Sequence, residues 1–151
     1  MKKELTLIIG PSGSGKTTLL SLLGCVIFPT SGEVYIDNLP VNNLSEKELP
    51  MVRLKNIGFV FQGFNLLAPL NVLENVMQPL RLSGTSKKEA RLKAVEAVKK
   101  VNMESRVKSL PKNLNCGQQQ RVAIARALVT EPTFLVTVFI SVGSSHFFSI
   151  A

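Results

Sequence analysis

The chain has 151 residues, the length of one ordinary domain, with 45% hydrophobic and 19% charged residues and a mean hydropathy of +0.22. This composition favours a soluble globular class and excludes both a disordered chain and a membrane channel. The formal charge of +8 suits polyanionic partners, such as nucleotides, nucleic acid or anionic membranes, without choosing among them.

Two residue counts narrow the chemistry further. Asp37 is the only aspartate, so a mechanism that needs an aspartate elsewhere is excluded. Cys25, Cys116 and His146 are too few for a disulfide framework or a four-ligand zinc site, which makes a reducing cytoplasm the default. The basic start precedes an apolar run that is too short for a signal-peptide core.

The first part of the chain predicts alternating strands and helices. A buried strand at 5–9 leads through a glycine-rich loop into a helix at 16–24. Residues 33–38 predict an antiparallel strand that ends in a tight turn. The Ser-x-x-Glu spacing of Ser45 predicts the start of a short helix, and a second buried strand follows at 56–61.

The remaining part predicts helices followed by a strand. A helix at 73–80 should break at Pro79. A second helix opens at Ser86, with lysines outward as a solvated face and an apolar face of Leu92, Val95, Val98 and Val101. A third helix spans about 118–129, with Arg121 and Arg126 at its flanks and Val122, Ala123, Ala125, Ala127 and Leu128 available for burial. The uncharged end, 133–151, predicts a strand at 134–142 with an ill-defined tail rather than a membrane helix.

Residues 10–17 fit the pattern Gly, four residues, Gly, Lys and then Ser or Thr, which is the P-loop or Walker A motif. Its glycines let successive amides face an anion, and the following helix adds its positive N-terminal end. Lys16 can reach terminal phosphates, and the Thr17 hydroxyl suits the magnesium that bridges them. The motif therefore predicts phosphate binding by Gly10, Pro11, Ser12, Gly13, Ser14, Gly15, Lys16, Thr17 and Thr18.

Three further stretches resemble ATP-binding-cassette (ABC) transporter ATPases. Residues 56–66 resemble the Q-loop, in which Gln62 would end a strand and touch the metal and the attacking water. Residues 31–37 resemble the early hairpin of the family, and residues 114–128 resemble its signature motif and the helix after it. The resemblance covers residues 5 to about 136. It is closest to the subfamily of lipoprotein release and macrolide-type export, which is suggested by the run from Phe61 through residues 65–67 to residues 74–76.

The chain departs from the family pattern in two places. The signature loop normally reads Leu-Ser-Gly-Gly-Gln, whereas this chain has Asn115 and Cys116 at the second and third positions. Asn115 could donate a hydrogen bond to a phosphate or simply cap the following helix, and the Cβ of Cys116 would crowd that phosphate. At the end of the Walker B strand, the family's Asp and Glu are replaced by Val138 and Phe139, which cannot ligate magnesium.

The resemblance implies an α/β P-loop NTPase core with a mainly parallel sheet, an antiparallel hairpin and a helical insertion, as an incomplete ABC ATPase domain truncated at both ends. Within a single partial domain, it implies a core with hairpin at 1–63, a helical subdomain at about 64–114, the signature helix and Walker B-like strand at about 115–140, and a divergent tail at about 141–151.

The resemblance also implies a function, namely an ATP-binding subunit that couples ATP hydrolysis to export. ATP and Mg²⁺ would be the cofactors, with Thr17 and Gln62 on the metal and Asn115, Cys116, Gly117 and Gln118 on the ATP of a partner subunit. The partners would be a paired ATPase subunit or second copy and a transmembrane permease, at the inner face of the cell membrane. Two alternatives remain open: a nucleotide-binding module without turnover, and a basic nucleic-acid-binding protein, for which one Tyr and no Trp offer little stacking surface.

Overall fold

The computed structural model of the protein describes residues 6–8, 10–11, 13–140 and 146–150. Short 3₁₀ turns occupy Glu104–Arg106 and Pro111–Asn113. The strands and helices confirm the predicted α/β order and are β1 Thr6–Ile8, α1 Lys16–Leu23, β2 Tyr35–Ile36, β3 Leu39–Pro40, α2 Leu49–Asn56, β4 Ile57–Val60, α3 Val72–Leu82, α4 Lys87–Lys100, α5 Cys116–Leu128, β5 Phe134–Ile140 and β6 His146–Ile150.

The main sheet has four strands in the order β1-β6-β5-β4. Strand β4 pairs parallel with β5, whereas β6 runs antiparallel to both β5 and β1. Three of the four strands therefore run in one direction, which agrees with the predicted mainly parallel sheet. The reversed direction of β6 follows from its short connection to β5, because a parallel crossover needs about a dozen residues.

The end of the chain was predicted to be an ill-defined tail, but the structure has a strand there. Residues 146–150 form β6, which lies between β1 and β5. Residues 141–145 and 151, including part of the predicted strand at 134–142, lie outside the described residues. Alternation alone could not reveal β6, because its pairing depends on β1 at the other end of the chain.

The predicted hairpin is confirmed as the two-stranded pair β2–β3, in which Ile36 pairs with Leu39. Asp37 and Asn38 form its turn with φ angles of 48° and 63°, and Asx residues tolerate this left-handed conformation best after glycine. Beneath it lies an apolar cluster that joins the hairpin to the helix after the P-loop and to the sheet. Its buried members are Leu20, Cys25, Ile36, Val41, Leu49, Ile57 and Val136.

Two predicted helix boundaries are wrong. The helix expected at Ser45 begins at Leu49, because Ser45 and Glu48 bond to each other in a preceding turn, with 2.7 Å between Ser45 Oγ and Glu48 Oε2. The helix expected to break at Pro79 continues through it to Leu82. Proline removes one backbone hydrogen bond, but the buried face of α3 holds the helix in place.

A second apolar cluster holds the three long helices together. Its buried residues come from α3, α4, α5 and their connections: Val72, Leu73, Val76, Met77, Leu80, Ala90, Ala94, Val98, Met103, Leu114, Val122, Ala125 and Val129. The predicted α4 face is partly wrong, since Leu92 is 62% exposed; Val98 is buried as predicted, and Ala90 and Ala94 are buried beside it. Leu128 of α5 is likewise 45% exposed rather than buried. Small alanines at a spacing of four let α4 pack close to α3, which hydrophobicity alone does not indicate.

Helix α5 also lies directly against strand β4. A Cβ on Gly58 would stand 2.6 Å from the carbonyl oxygen of Ala127, so this contact requires glycine. The same contact buries Val60 with Ala123 and Ala127. The end of β4 is therefore fixed against the C-terminal half of α5. Among the described residues, no helix combines the length and the apolar character needed to cross a bilayer.

Candidate functional site

The predicted site residues follow strands that share one edge of the sheet. Strands β1, β4 and β5 run in the same direction, so their carboxyl ends lie together. The P-loop follows β1, Gln62 comes two residues after β4, and Val138 and Phe139 belong to β5. In open α/β sheets, this edge is where ligands bind.

The P-loop backbone has the geometry of an anion site. Gly13 and Gly15 have φ angles of 82° and 84°, a region in which a side chain would be strained. Gly15 is the N-cap of α1 and gives its first turn no side-chain hydrogen bond, unlike Asn71 and Asn115, which cap α3 and α5. The Gly15 cap thus gives the first turn of α1 no side-chain acceptor, and a helix N-terminus of this kind suits an anion. Ser12 lies outside the described residues.

Lys16 bonds to its own loop. Its Nζ donates to the carbonyl oxygens of Gly10 at 2.7 Å and Pro11 at 2.6 Å, and to Ser14 Oγ at 3.3 Å. The residue is 7% exposed. These three bonds use all three N–H donors of the ammonium group, so a phosphate oxygen would have to displace one of the present acceptors.

The candidate magnesium ligands are neutral oxygen donors. Thr17, at the start of α1, supplies a hydroxyl, and Gln62 supplies an amide oxygen; both residues are exposed. Magnesium prefers hard oxygen ligands and is commonly held by few protein groups together with substrate phosphates and water. No group of three or more His, Cys, Asp or Glu side chains that could hold a metal occurs in the part of the chain that is described. The oxygen atoms of Thr17 and Gln62 are of the type that magnesium prefers, and their role as its ligands stays a prediction.

The loop after β4 has a tight and unusual backbone. Phe64 N–H donates to Phe61 O at 2.9 Å, which closes a turn around Gln62 and Gly63. Phe64 and Asn65 follow with φ angles of 57° and 46°, which are uncommon for residues with a side chain. Gln62 thus lies on a shaped turn rather than on a free strand end.

Sequence reasoning missed Arg126 as part of this region and placed it at a helix flank. Its Nη1 donates to Asn65 O at 2.7 Å, and its Nη2 donates to Phe64 O at 2.8 Å. Burial lowers the pKa of this guanidinium from its usual range, although arginine remains protonated at neutral pH. More than 60 residues separate the bonded groups along the chain, so no local pattern could have indicated the contact.

The signature-like loop is a helix cap. Asn115 Oδ1 accepts from Gln118 N–H at 2.9 Å, and Gln118 Oε1 accepts from Asn115 N–H at 3.0 Å. The structure therefore confirms the capping interpretation of Asn115, while Cys116 and Gly117 lie exposed beside it in the first turn of α5.

Comparison with known proteins gives one consistent family. The model of the ABC transporter family matches residues 1–137 and ends one residue before Val138. An uncharacterized ABC transporter ATP-binding protein of Thermotoga maritima is 47% identical over 133 residues, which are 88% of this chain and 57% of that protein. The ABC transporter ATP-binding protein MJ0796 of Methanocaldococcus jannaschii is 48% identical over 137 residues, with 88% and 58% covered.

Solved structures give the same result for the fold. The dimeric structure of MJ0796, a bacterial ABC transporter cassette, superposes with a TM-score of 0.76 at 48% identity, covering 85% of this chain and 57% of that one. A second dimeric structure of MJ0796, in a post-hydrolysis state bound to ADP and Pi, matches equally well. The chain spans somewhat more than half the length of these relatives.

Proposed function

The chain belongs to the ABC transporter family, and we propose that it is the ATP-binding part of a transporter that couples ATP binding and hydrolysis to export across a membrane. One observation carries this proposal most directly. The P-loop presents left-handed Gly13 and Gly15 and opens onto the start of α1, which has no side-chain cap. Such a backbone binds a phosphate group without any specialised side chain.

In this proposal, each group of residues has a distinct role toward Mg-ATP. Lys16 and the loop from Gly10 to Thr18 bind the phosphates, and Thr17 with Gln62 holds the magnesium. The exposed start of α5, Asn115–Gln118, faces the ATP of a second ATPase subunit or second copy of this chain. When bound, magnesium neutralises charge on the phosphates and draws electrons from the bond that is cleaved.

For this chain taken alone, we expect nucleotide binding without turnover. Hydrolysis requires that a water molecule is positioned and that the metal is held. In the family, two carboxylates do this, and Val138 and Phe139 stand at their positions in this chain. The only aspartate, Asp37, lies in the β2–β3 turn, and Glu131 precedes β5, at the opposite end of that strand.

The transmembrane partner should contact the segment at about 64–80, on the inner face of the membrane. Two observations support this placement. Leu67 is 45% exposed while its backbone is fixed by the buried Asn75, which bonds both Leu67 N–H and Leu67 O. Phe61, beside Gln62, is 42% exposed and lines a cleft of about 390 Å³ that Pro79 also borders. A fixed apolar surface next to the nucleotide-sensing turn suits a protein partner.

Calorimetric titration of the purified chain with Mg-ATP tests the proposal. A saturable signal with one nucleotide per chain is expected, together with competition by ADP. A chain that is folded by circular dichroism and gives no signal at millimolar ATP would contradict it. Salt-sensitive DNA binding that ATP does not affect would instead favour the nucleic-acid alternative.

A further inference from the structure

The turn that carries Gln62 is held in an unfavourable backbone conformation. Phe64 and Asn65 both have positive φ, a region that a Cβ disfavours. Two local bonds support it from within, from Phe64 N–H to Phe61 O and from Asn65 N–H to Gly63 O. Such a backbone persists only where the surrounding structure fixes it.

Helix α5 supplies that support by two kinds of contact. The Arg126 guanidinium donates to the carbonyl oxygens of Phe64 and Asn65, at 2.8 and 2.7 Å, so one planar fork holds two successive peptide groups. The Phe64 side chain packs against the buried cluster that contains Ala123 and Ala127 of the same helix. The turn is therefore attached to α5 by its backbone and by its side chain.

Helix α5 begins at the other proposed nucleotide-facing segment. Asn115 and Gln118 cap its first turn reciprocally, and Arg126 lies in its last turn. One helix of 13 residues therefore connects the segment at Asn115 with the residue that holds the turn around Gln62.

We propose that Arg126 is a positioning residue, which fixes Gln62 for the magnesium of bound ATP. The inference rests on the proposed nucleotide-binding function and assigns a role to a residue outside the P-loop, the Q-loop and the signature segment. Arg126 itself does not touch the nucleotide. Lysine cannot replace it fully, because a single ammonium group lacks the planar fork that reaches both carbonyls.

Hydrogen exchange measured by NMR on the full, nucleotide-free chain tests the attachment. In Arg126→Ala, the amides of Phe64 and Asn65 should exchange about tenfold faster than in the wild type, because their turn loses charge-assisted bonds. The Leu67 amide, which Asn75 holds, should not change and serves as an internal reference. Arg121→Ala, at an exposed position of the same helix, is the matched control and should leave all three amides unchanged.

Nucleotide affinity tests the link to the metal. The ratio of ATP affinity with Mg²⁺ to that with EDTA should fall about three- to tenfold in Arg126→Ala, the range of one net hydrogen bond, while affinity in EDTA stays the same. Gln62→Ala should lower the ratio similarly, and the double variant should lower it no further, since Arg126 acts through Gln62. A purely structural role for Arg126 would reduce thermal stability without changing this ratio.

The outcomes separate this inference from the proposed function. Wild-type chain that binds no ATP would refute the proposed function and, with it, the link to the metal, while the exchange rates still decide whether Arg126 holds the turn. Unchanged exchange at Phe64 and Asn65, or an unchanged magnesium ratio in a chain that binds ATP, would overturn the inference. If Arg126→Ala does not fold, Arg126→Lys is compared in the same way, with effects of the same direction expected.

Discussion

Val138 and Ile8 occupy the same row of the main sheet, because each pairs with Phe148 from opposite sides. Ile8 is the last residue of the strand that leads into the P-loop, so Val138 lies level with the entrance to that loop. In the family, the corresponding position carries the carboxylate that serves the metal. Val138 is thus in register with Ile8 but two strands away across β6, and it carries no carboxylate.

We predict that the chain does not hydrolyse ATP at several turnovers per second. Loss of a positioned base alone costs about 10² to 10⁴ in rate, and loss of metal ligation adds to it. Phosphate release by the purified chain measures this, with Lys16→Ala as the control for contaminating ATPases. Rapid release that Lys16→Ala abolishes would show that another group performs the task of the missing carboxylates.

A second prediction concerns the cap of α5. Asn115→Ala should destabilise the chain by about 0.5–2 kcal/mol, because the amide of Gln118 loses its acceptor. Asn115→Ser restores the residue that the family has and should keep the stability, since serine caps equally well. Urea unfolding compares the three proteins. Equal stability of Asn115→Ala and wild type would mean that the cap contributes nothing.

A third prediction concerns the membrane partner. A photocrosslinker attached through Leu67→Cys should label a membrane protein when the chain is expressed in cells, because this side chain is exposed on a fixed backbone. Leu70→Cys, which is half-buried, should crosslink in the same way but less efficiently. The exposed Leu92, on α4, offers a matched control position at which no such product is expected. Products confined to the chain itself at Leu67 and Leu70 would count against docking at 64–80.

The sequence predicted well what depends on local chemistry. The P-loop, the β2–β3 turn at Asp37 and Asn38, and the cap at Ser86 all follow from residues within a few positions of each other. The Ser86 side chain accepts from Glu89 N–H at 3.3 Å, as its spacing predicts. These features need no knowledge of the rest of the chain.

Long-range packing limited the remaining predictions. Leu92 was expected inside because it is apolar, but α4 buries small alanines that allow a closer helix contact. Pro79 was expected to end a helix, and the buried face of α3 kept it intact. Arg126 could not be assigned to the Gln62 turn, because its partners are distant in sequence. In each case the deciding contact lies between elements.

The central claim is that ATP binds through the P-loop, and calorimetry with Mg-ATP on the wild type and Lys16→Ala tests it most directly. Loss of the charged donor should weaken binding about ten- to a hundredfold, the range for hydrogen bonds to charged groups. Lys87→Ala, at an exposed position on α4, should bind like the wild type. Equal affinity of the wild type and a folded Lys16→Ala would contradict the account.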